Sequence, residues 1–487
     1  MGSNYTPMDA SRTPPGYMIN IWRNLLLAHP DVFFHELFGG SDPEVDHEFD
    51  VETDTSSGSD AYSQSRLELD EESDAGSDAG SDAGSDVSDD RSVTSSVMYC
   101  QEPFESFQHK ALALAQSKVW ADAGSDEAIV EYLPGGGYNR IIGLTLQSKE
   151  KSKEGIRYIL RIPRFIYNFA SLPNDVAALL FLDRHTTIPA PRVISFDHTT
   201  TNELVAPYMI QNRLPGSPLY LSYPDLSHAD KCRLAKELGC AIRKMLDIRS
   251  SSSGKLSLPV NDMSLGAPLQ VTPWCPVDGS VRVPFSTCAV PHSVSEMLVT
   301  AFKAWRAEEL RLRPDSLFKP FYIDRFIAMV EEMDDAGYLN DIPYSLAHLD
   351  LAPRNVMVNP SSDIEQPIIS GILDWDSAIL GPIFMTCSPP VWLWAYDRED
   401  ESDEESEKET AEEGWGETTD YSPASPEDGE LKQLFEEAAG LDYMRFAYNP
   451  VYSLARRLML FIVDGLRSNE SIKEADAMFS AWDDVKE

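Results

Sequence analysis

Apolar positions along the chain change period near its middle. From Glu102 to Trp120 they recur at helical spacing, and then three stretches, Glu127–Leu133, Tyr138–Leu146 and Ile156–Ile162, read as short strands. A helix follows from Asn174 to about Asp183, and two more strands, Arg192–Phe196 and Leu204–Gln211, flank a turn. The order is therefore β-β-β-α-β-β. Past Leu214-Pro215-Gly216 the pattern becomes helical, clearest over 227–248, 293–311 and 322–337, with a Ser/Gly/Pro-rich passage from Ser250 to about Pro284 between the first two. Short strand-like pieces (Ser345–His348, Val356–Val358, Ile368–Leu373) then bracket polar residues, and helices over Leu431–Gly440, Val451–Leu466 and Ser471–Trp482 close the chain.

This predicts an α+β protein with a β-rich lobe over 102–213 and a mostly helical lobe over 214–487. Residues 1–101 form an extension in which Tyr17–Phe38 has helical apolar spacing, suited to packing on the main domain or to docking a partner. Ser73–Asp86 repeats Ser-Asp-Ala-Gly, a period too short and too polar to bury anything, and reads as a disordered linker.

Charge sharpens that division. The chain of 487 residues has a net charge of −40. Residues 41–97 carry 18 acidic against 2 basic side chains, and 397–430 carry 16 against 2, so two segments hold −30 of the total. Such blocks repel themselves and stay solvated. The second reads as a disordered insertion, 397–430, inside the helical lobe. The acidity argues against a nucleic-acid partner, whose phosphates recruit Lys and Arg. It suits a cationic small molecule or a basic protein partner for the acidic segments, or solubility alone.

Six scattered cysteines without a CxxC pair fit a reduced compartment, and no cleavable signal pattern opens the sequence, so a cytoplasmic location is expected. No apolar run is long enough to span a membrane. Met1-Gly2-Ser3-Asn4-Tyr5-Thr6 fits a short myristoylation pattern, but one acyl chain beside an acidic segment gives no stable membrane anchoring.

The candidate chemistry lies in His348-Leu349-Asp350 with Asn355, and in Asp374-Trp375-Asp376. Phosphoryl transfer needs an aligned acceptor hydroxyl, a group to take its proton, and cations to offset phosphate charge. An Asp on a rigid loop serves the first two needs. An Asn five residues on can turn back toward a metal, and Asp374, after apolar Ile372-Leu373, can supply a second oxygen of the kind Mg²⁺ prefers. Alone, each half has a structural reading: a hydrogen-bonded His-x-Asp pair, or an Asp capping a helix. In this order and spacing, behind a β-rich lobe, they point to phosphoryl transfer.

These residues resemble those of the aminoglycoside phosphotransferase and choline kinase-like family, particularly its fungal members. The likeness rests on His348-Leu349-Asp350-Leu351-Ala352-Pro353-Arg354-Asn355 and Gly371-Ile372-Leu373-Asp374-Trp375-Asp376. Ile159–Pro163, Ile188–Val193 and Leu214-Pro215-Gly216 extend it over roughly 105–395. The resemblance implies a bilobal protein-kinase-like fold using ATP and Mg²⁺. By it, Asp350 is the catalytic base, Asn355 and Asp374 hold Mg²⁺, Asp376 belongs to the metal's surroundings or stabilises the loop, and His348 braces the loop. Arg161 would grip the α- and β-phosphates where many members have Lys, with Asp175 as its acidic partner. Gly135, Gly136 and Gly137 would let backbone N–H groups approach phosphate, or simply form a turn. Met209, Ile210 and Gln211 would form the hinge at adenine. No Ala-Pro-Glu follows Asp374, which favours a small acceptor over a peptide. That acceptor would sit near Trp392, Trp394 and Tyr396, unless these aromatics are core. The alternatives are a non-catalytic nucleotide-binding scaffold and an atypical protein kinase.

Overall fold

The computed structural model describes residues 99, 101–121, 127–147, 155–165, 168–273, 292–361, 363, 365–395 and 422–486. Gly2, the expected helix over 17–38, the Ser-Asp-Ala-Gly repeat, Tyr396 and residues 397–421 lie outside them. The chain divides into two units, Met1–Ser106 and Phe107–Glu487, and the second carries both lobes.

The first lobe is built on a five-stranded antiparallel sheet: β1 (Glu127–Tyr132), β2 (Asn139–Gln147), β3 (Ile156–Pro163), β4 (Val193–Asp197) and β5 (Tyr208–Asn212). The strand order is β1-β2-β3-β5-β4. Ile142 and Leu144 of β2, Leu160 of β3 and Ile210 of β5 lose all contact with solvent. Helix α1 (Phe104–Lys118) buries Phe107, Ala111, Leu114 and Ala115, and the Arg140 guanidinium stacks 3.9 Å over the Phe107 ring. Helix α2 (Leu172–His185) enters through Pro173, whose missing N–H costs nothing in a first turn. Its apolar face (Val176, Ala177, Leu179, Leu180) joins the core of the second lobe, so α2 ties the lobes together.

Strand β5 starts at Tyr208 rather than Leu204. Leu204 is buried, which gave the stretch its strand-like pattern, but Val205 has a left-handed φ of 56° and the Asn202 side chain bonds the Ala206 carbonyl, making a turn.

The second lobe is mostly helical. Helix α3 (His228–Asp247) is capped by Ser227, and α4 (Val294–Leu312) opens with a reciprocal Ser293–Glu296 capping box. Helix α5 (Phe318–Asp335) pairs with α4, stacking Phe326 on Phe302. The closing helices are α6 (Pro426–Ala439), α7 (Leu441–Ala447), α8 (Pro450–Asp464) and α9 (Asn469–Lys486). The acidic insertion therefore ends before Pro426, not at 430: Ser425 caps α6, and Pro, Glu and Asp fill its first turn as a helix start requires. Where α3 crosses α6, a methyl on Gly239 would stand 2.4 Å from the Phe435 carbonyl, so the two backbones touch there.

Short strands carry the polar motifs. β10 (Val356–Val358) pairs with both β6 (Ser217–Pro218) and β11 (Ile369–Ile372), and β9 (Tyr344–Ala347) pairs with β12 (Ile379–Pro382). The Ser/Gly/Pro-rich passage holds an unexpected hairpin, β7 (Lys255–Ser257) with β8 (Gln270–Thr272). After β12 the chain makes a 3₁₀ turn at Val391–Leu393. A β-rich lobe followed by a helical lobe, with the polar loops on short strands, is the bilobal kinase-like architecture.

Candidate active site

Two loops meet at the second lobe's strands. One leaves β9 at Ala347 and carries His348–Asp350; the other leaves β11 at Ile372 and carries Asp374–Asp376. They are adjacent because Val356 pairs with Ile372 and the Leu373 N–H donates to the Asn355 carbonyl at 2.7 Å. His348 rivets them. Its Nε2 lies 2.7 Å from the Leu373 carbonyl, which can only accept, so Nε2 carries the proton and Nδ1 is free to accept the Asp350 N–H at 3.3 Å. The ring stands edge-on to Trp375, centroids 4.5 Å apart, and Trp375 Nε1 donates to the Ile372 carbonyl. Burial lowers the His348 pKa, so the imidazole stays neutral in this bracing role. Both loops carry unusual backbone, φ 29° at Leu349 and φ 61° at Asp374, the kind of local strain that concentrates at functional sites.

Asp350 is held from two sides. Asn355 Nδ2 donates to its carboxylate and to its carbonyl, each at 2.9 Å, and Arg354 Nη2 donates to the other carboxylate oxygen at 2.6 Å. Burial pushes the Asp350 carboxyl above its usual range, against the opposing pull of Arg354 and Asn355. Because the amide nitrogen of Asn355 is committed, its Oδ1 is the atom left for a cation.

Across the site, Arg161 of β3 reaches Asp376 at 2.5 Å and Asp374 at 3.4 Å. Burial opposes its charge, but Asp376, Asp374 and Asp175 more than reverse that and raise its pKa further. Asp175 acts on Arg161 only as a nearby charge. The ion pairs run to Asp376 and Asp374 instead, because the first turn of α2 points this shorter acid into the protein, where it is 8% exposed. Burial first, then Asp376, drives the Asp175 carboxyl well upward against Arg161 and Lys255. Asp376 is likewise raised, by burial and by Asp374, despite Arg161.

The glycine turn comes to the same place. Asn139, the residue that opens β2 after Gly135-Gly136-Gly137, donates to Asp376 at 3.3 Å, and Arg164 Nε donates to the Gly136 carbonyl at 2.9 Å. The adenine hinge needs correction. Met209, Ile210 and Gln211 lie inside β5 with β3 and β4 on either edge, so their backbone is spent on the sheet. The segment joining the lobes is Arg213–Gly216, with Leu214 packed against Gly371 of β11. Trp394 is fully buried against Phe435, and Trp392 is buried with its Nε1 donating to the Leu351 carbonyl at 3.3 Å, so both are core. Sequence reasoning missed Arg354, Asn139 and Arg164; the one available signal was the position of Arg354, four residues after Asp350.

The sequence model described as the phosphotransferase enzyme family matches residues 144–420, more than half of the chain. The chain belongs to that family. The match takes in all of β3, α2 and both polar loops of this phosphotransferase. Among curated proteins, "Altered inheritance of mitochondria protein 9, mitochondrial" of Candida tropicalis is 29% identical over 126 residues, 24% of this chain. The aligned part spans only 19% of that protein's length. Solved structures that align include ADP-bound aminoglycoside phosphotransferase APH(2'')-Ib, at 12% identity and TM-score 0.41, covering 77% of this chain and 97% of that one. Another is a phosphotransferase from Ralstonia eutropha assigned to the aminoglycoside class, at 16% identity and TM-score 0.39, covering 78% and 98%.

Proposed function

We propose that this phosphotransferase moves the γ-phosphate of ATP to a hydroxyl of a small molecule, with Asp350 as the base. The observation that carries the reading is the clamp on Asp350: Asn355 and Arg354 fix both carboxylate oxygens on a loop riveted by His348 to the strand end bearing Asp374. Asp350 accepts the acceptor's proton as its oxygen bonds to the γ-phosphorus, and the bond to the β–γ bridging oxygen breaks to release ADP. Arg354, already on Asp350, puts a positive charge beside the base. Arg161 exchanges its carboxylate partners for the α- and β-phosphates, a grip that a planar guanidinium makes with two parallel bonds.

The residues fit a hard divalent cation. Asp350, Asp374, Asp376 and Asp175 outnumber the guanidinium groups of Arg161 and Arg354, which reach only Asp376, Asp374 and Asp350. Asp374, Asp376 and Asn355 Oδ1 would hold Mg²⁺, which supplies charge neutralisation on the phosphates.

A small, cationic acceptor is favoured by the same carboxylate excess. The short path from Asp376 through β12 to the Val391–Leu393 turn also leaves little chain for a peptide-binding segment. The test is thermal shift of the purified protein with ATP, with and without Mg²⁺. Wild type is stabilised, more so with Mg²⁺, and Asp374→Asn loses the Mg²⁺-dependent part. No stabilisation under either condition removes the reading.

A further inference from the structure

Away from the active site, at the start of α3, we propose that His228, Cys232 and Glu430 form a binding site for a transition-metal cation of the zinc class. His228 Nε2 lies 2.9 Å from Glu430 Oε2 and 3.4 Å from Cys232 Sγ, and the three ligand atoms all lie within 4.8 Å of one another. A triangle with these sides contains a point roughly 2.0–2.4 Å from each corner, close to Zn–N, Zn–O and Zn–S bonds of about 2.0–2.3 Å.

Glu430 and Cys232 compete for the same ring nitrogen, Nε2. Nε2 either carries a proton, bonding Glu430 and facing the thiol with an N–H, or carries a lone pair, accepting from Cys232 and facing the carboxylate's own lone pairs. A cation on that lone pair satisfies all three ligands. The donor set chooses its class: nitrogen, thiolate sulfur and one carboxylate suit zinc-like ions, whereas Mg²⁺ and Ca²⁺ want oxygen. With Cys232 ionised on the metal, its thiolate and the Glu430 carboxylate balance a divalent charge.

The scaffold is ready. His228 and Cys232 stand one turn apart on α3, Glu430 comes from α6, and the backbone contact at Gly239 fixes the two helices against each other. With the His228 and Glu430 side chains 39% and 57% exposed, a fourth ligand position faces solvent. Occupancy would clamp the part of α6 that follows the acidic insertion onto α3.

The probe is Co²⁺, titrated into chelator-treated full-length protein under a non-thiol reductant, followed by Zn²⁺ displacement. Wild type develops a thiolate-to-cobalt charge-transfer band that saturates at one equivalent and is bleached by Zn²⁺. Cys232→Ser abolishes the band, and His228→Asn and Glu430→Gln weaken binding at least tenfold. In parallel, Zn²⁺ raises the melting temperature of wild type but not of Cys232→Ser. Because Co²⁺ can also bind the active-site aspartates, the titration is repeated in Asp374→Asn, which keeps the band. Absence of the band, or its survival in Cys232→Ser, overturns the proposal.

Discussion

Replacing Arg161 by Met removes the cation from the site's most crowded set of carboxylates while keeping the length of its stem. Only 11% of the Arg161 side chain and 27% of Asp376 are exposed, so the pair at 2.5 Å is largely shielded from water. Deleting one partner of such a pair costs about 3–5 kcal/mol, chiefly by stranding the other charge. The pH dependence follows from the directions at Asp376 and Asp175. Both carboxyls sit above their ordinary values in the folded protein, so the folded state holds their protons more tightly than the unfolded chain. Their contribution to stability is fully present below the usual Asp value of about 4 and is lost as pH rises through the elevated folded value. Arg161 pulls both downward, so its loss raises them further and widens that gap. Urea unfolding of wild type and Arg161→Met at pH 5 and pH 7.5 measures the effect. The penalty is larger at pH 7.5, and Mg²⁺ recovers part of it. A loss below about 1 kcal/mol at neutral pH, or an equal loss at both, would mean that Arg161 does not hold these carboxylates.

Other outcomes follow from single contacts. Gly239→Ala forces a methyl against the Phe435 carbonyl at 2.4 Å, and overpacking of this kind costs about 1–3 kcal/mol in chemical denaturation. The Glu237 carboxylate accepts the Ile368 and Ile369 N–H groups at 2.9 Å each, so Glu237→Gln, with one acceptor oxygen, leaves one of them unpaired and lowers stability by about 1–3 kcal/mol. Asp350 must be ionised to act as the base, and its carboxyl is raised by burial against Arg354. The acid limb of kcat/KM therefore lies above the ordinary Asp range, and Arg354→Ala moves it to higher pH; a limb that stays put or moves down separates Arg354 from the base.

The β-β-β-α-β-β order, the helices and both polar loops could be read from the sequence because each follows a strong period or a spacing with chemical meaning. What escaped was set by long-range packing. Leu204 is buried in a turn, and burial alone cannot distinguish a turn from a strand; the expected hinge, Met209–Gln211, starts four residues ahead of Arg213 because those residues are still paired inside the sheet. Asp175 stands at the right point on α2 to meet Arg161, but spacing does not report how a helix is rotated, and Asp376 took the contact. The β7–β8 hairpin has strands of three residues, too short to show alternation, and exists through the pairing of Lys255 with Thr272, Leu256 with Val271 and Ser257 with Gln270. Asn139 reaches Asp376 across 237 residues of chain, a distance over which no local pattern operates.

Acceptor-dependent phosphoryl transfer by Asp350 is measured most directly as ADP release from Mg²⁺-ATP in the presence of fractionated pools of small metabolites. Wild type is stimulated by at least one fraction. Asp350→Asn loses that stimulation by roughly 10²–10⁴-fold, the usual worth of a positioned base, while its ATP-induced thermal shift stays close to wild type. ATP binding without stimulation by any fraction, or equal stimulation of Asp350→Asn and wild type, would contradict the account.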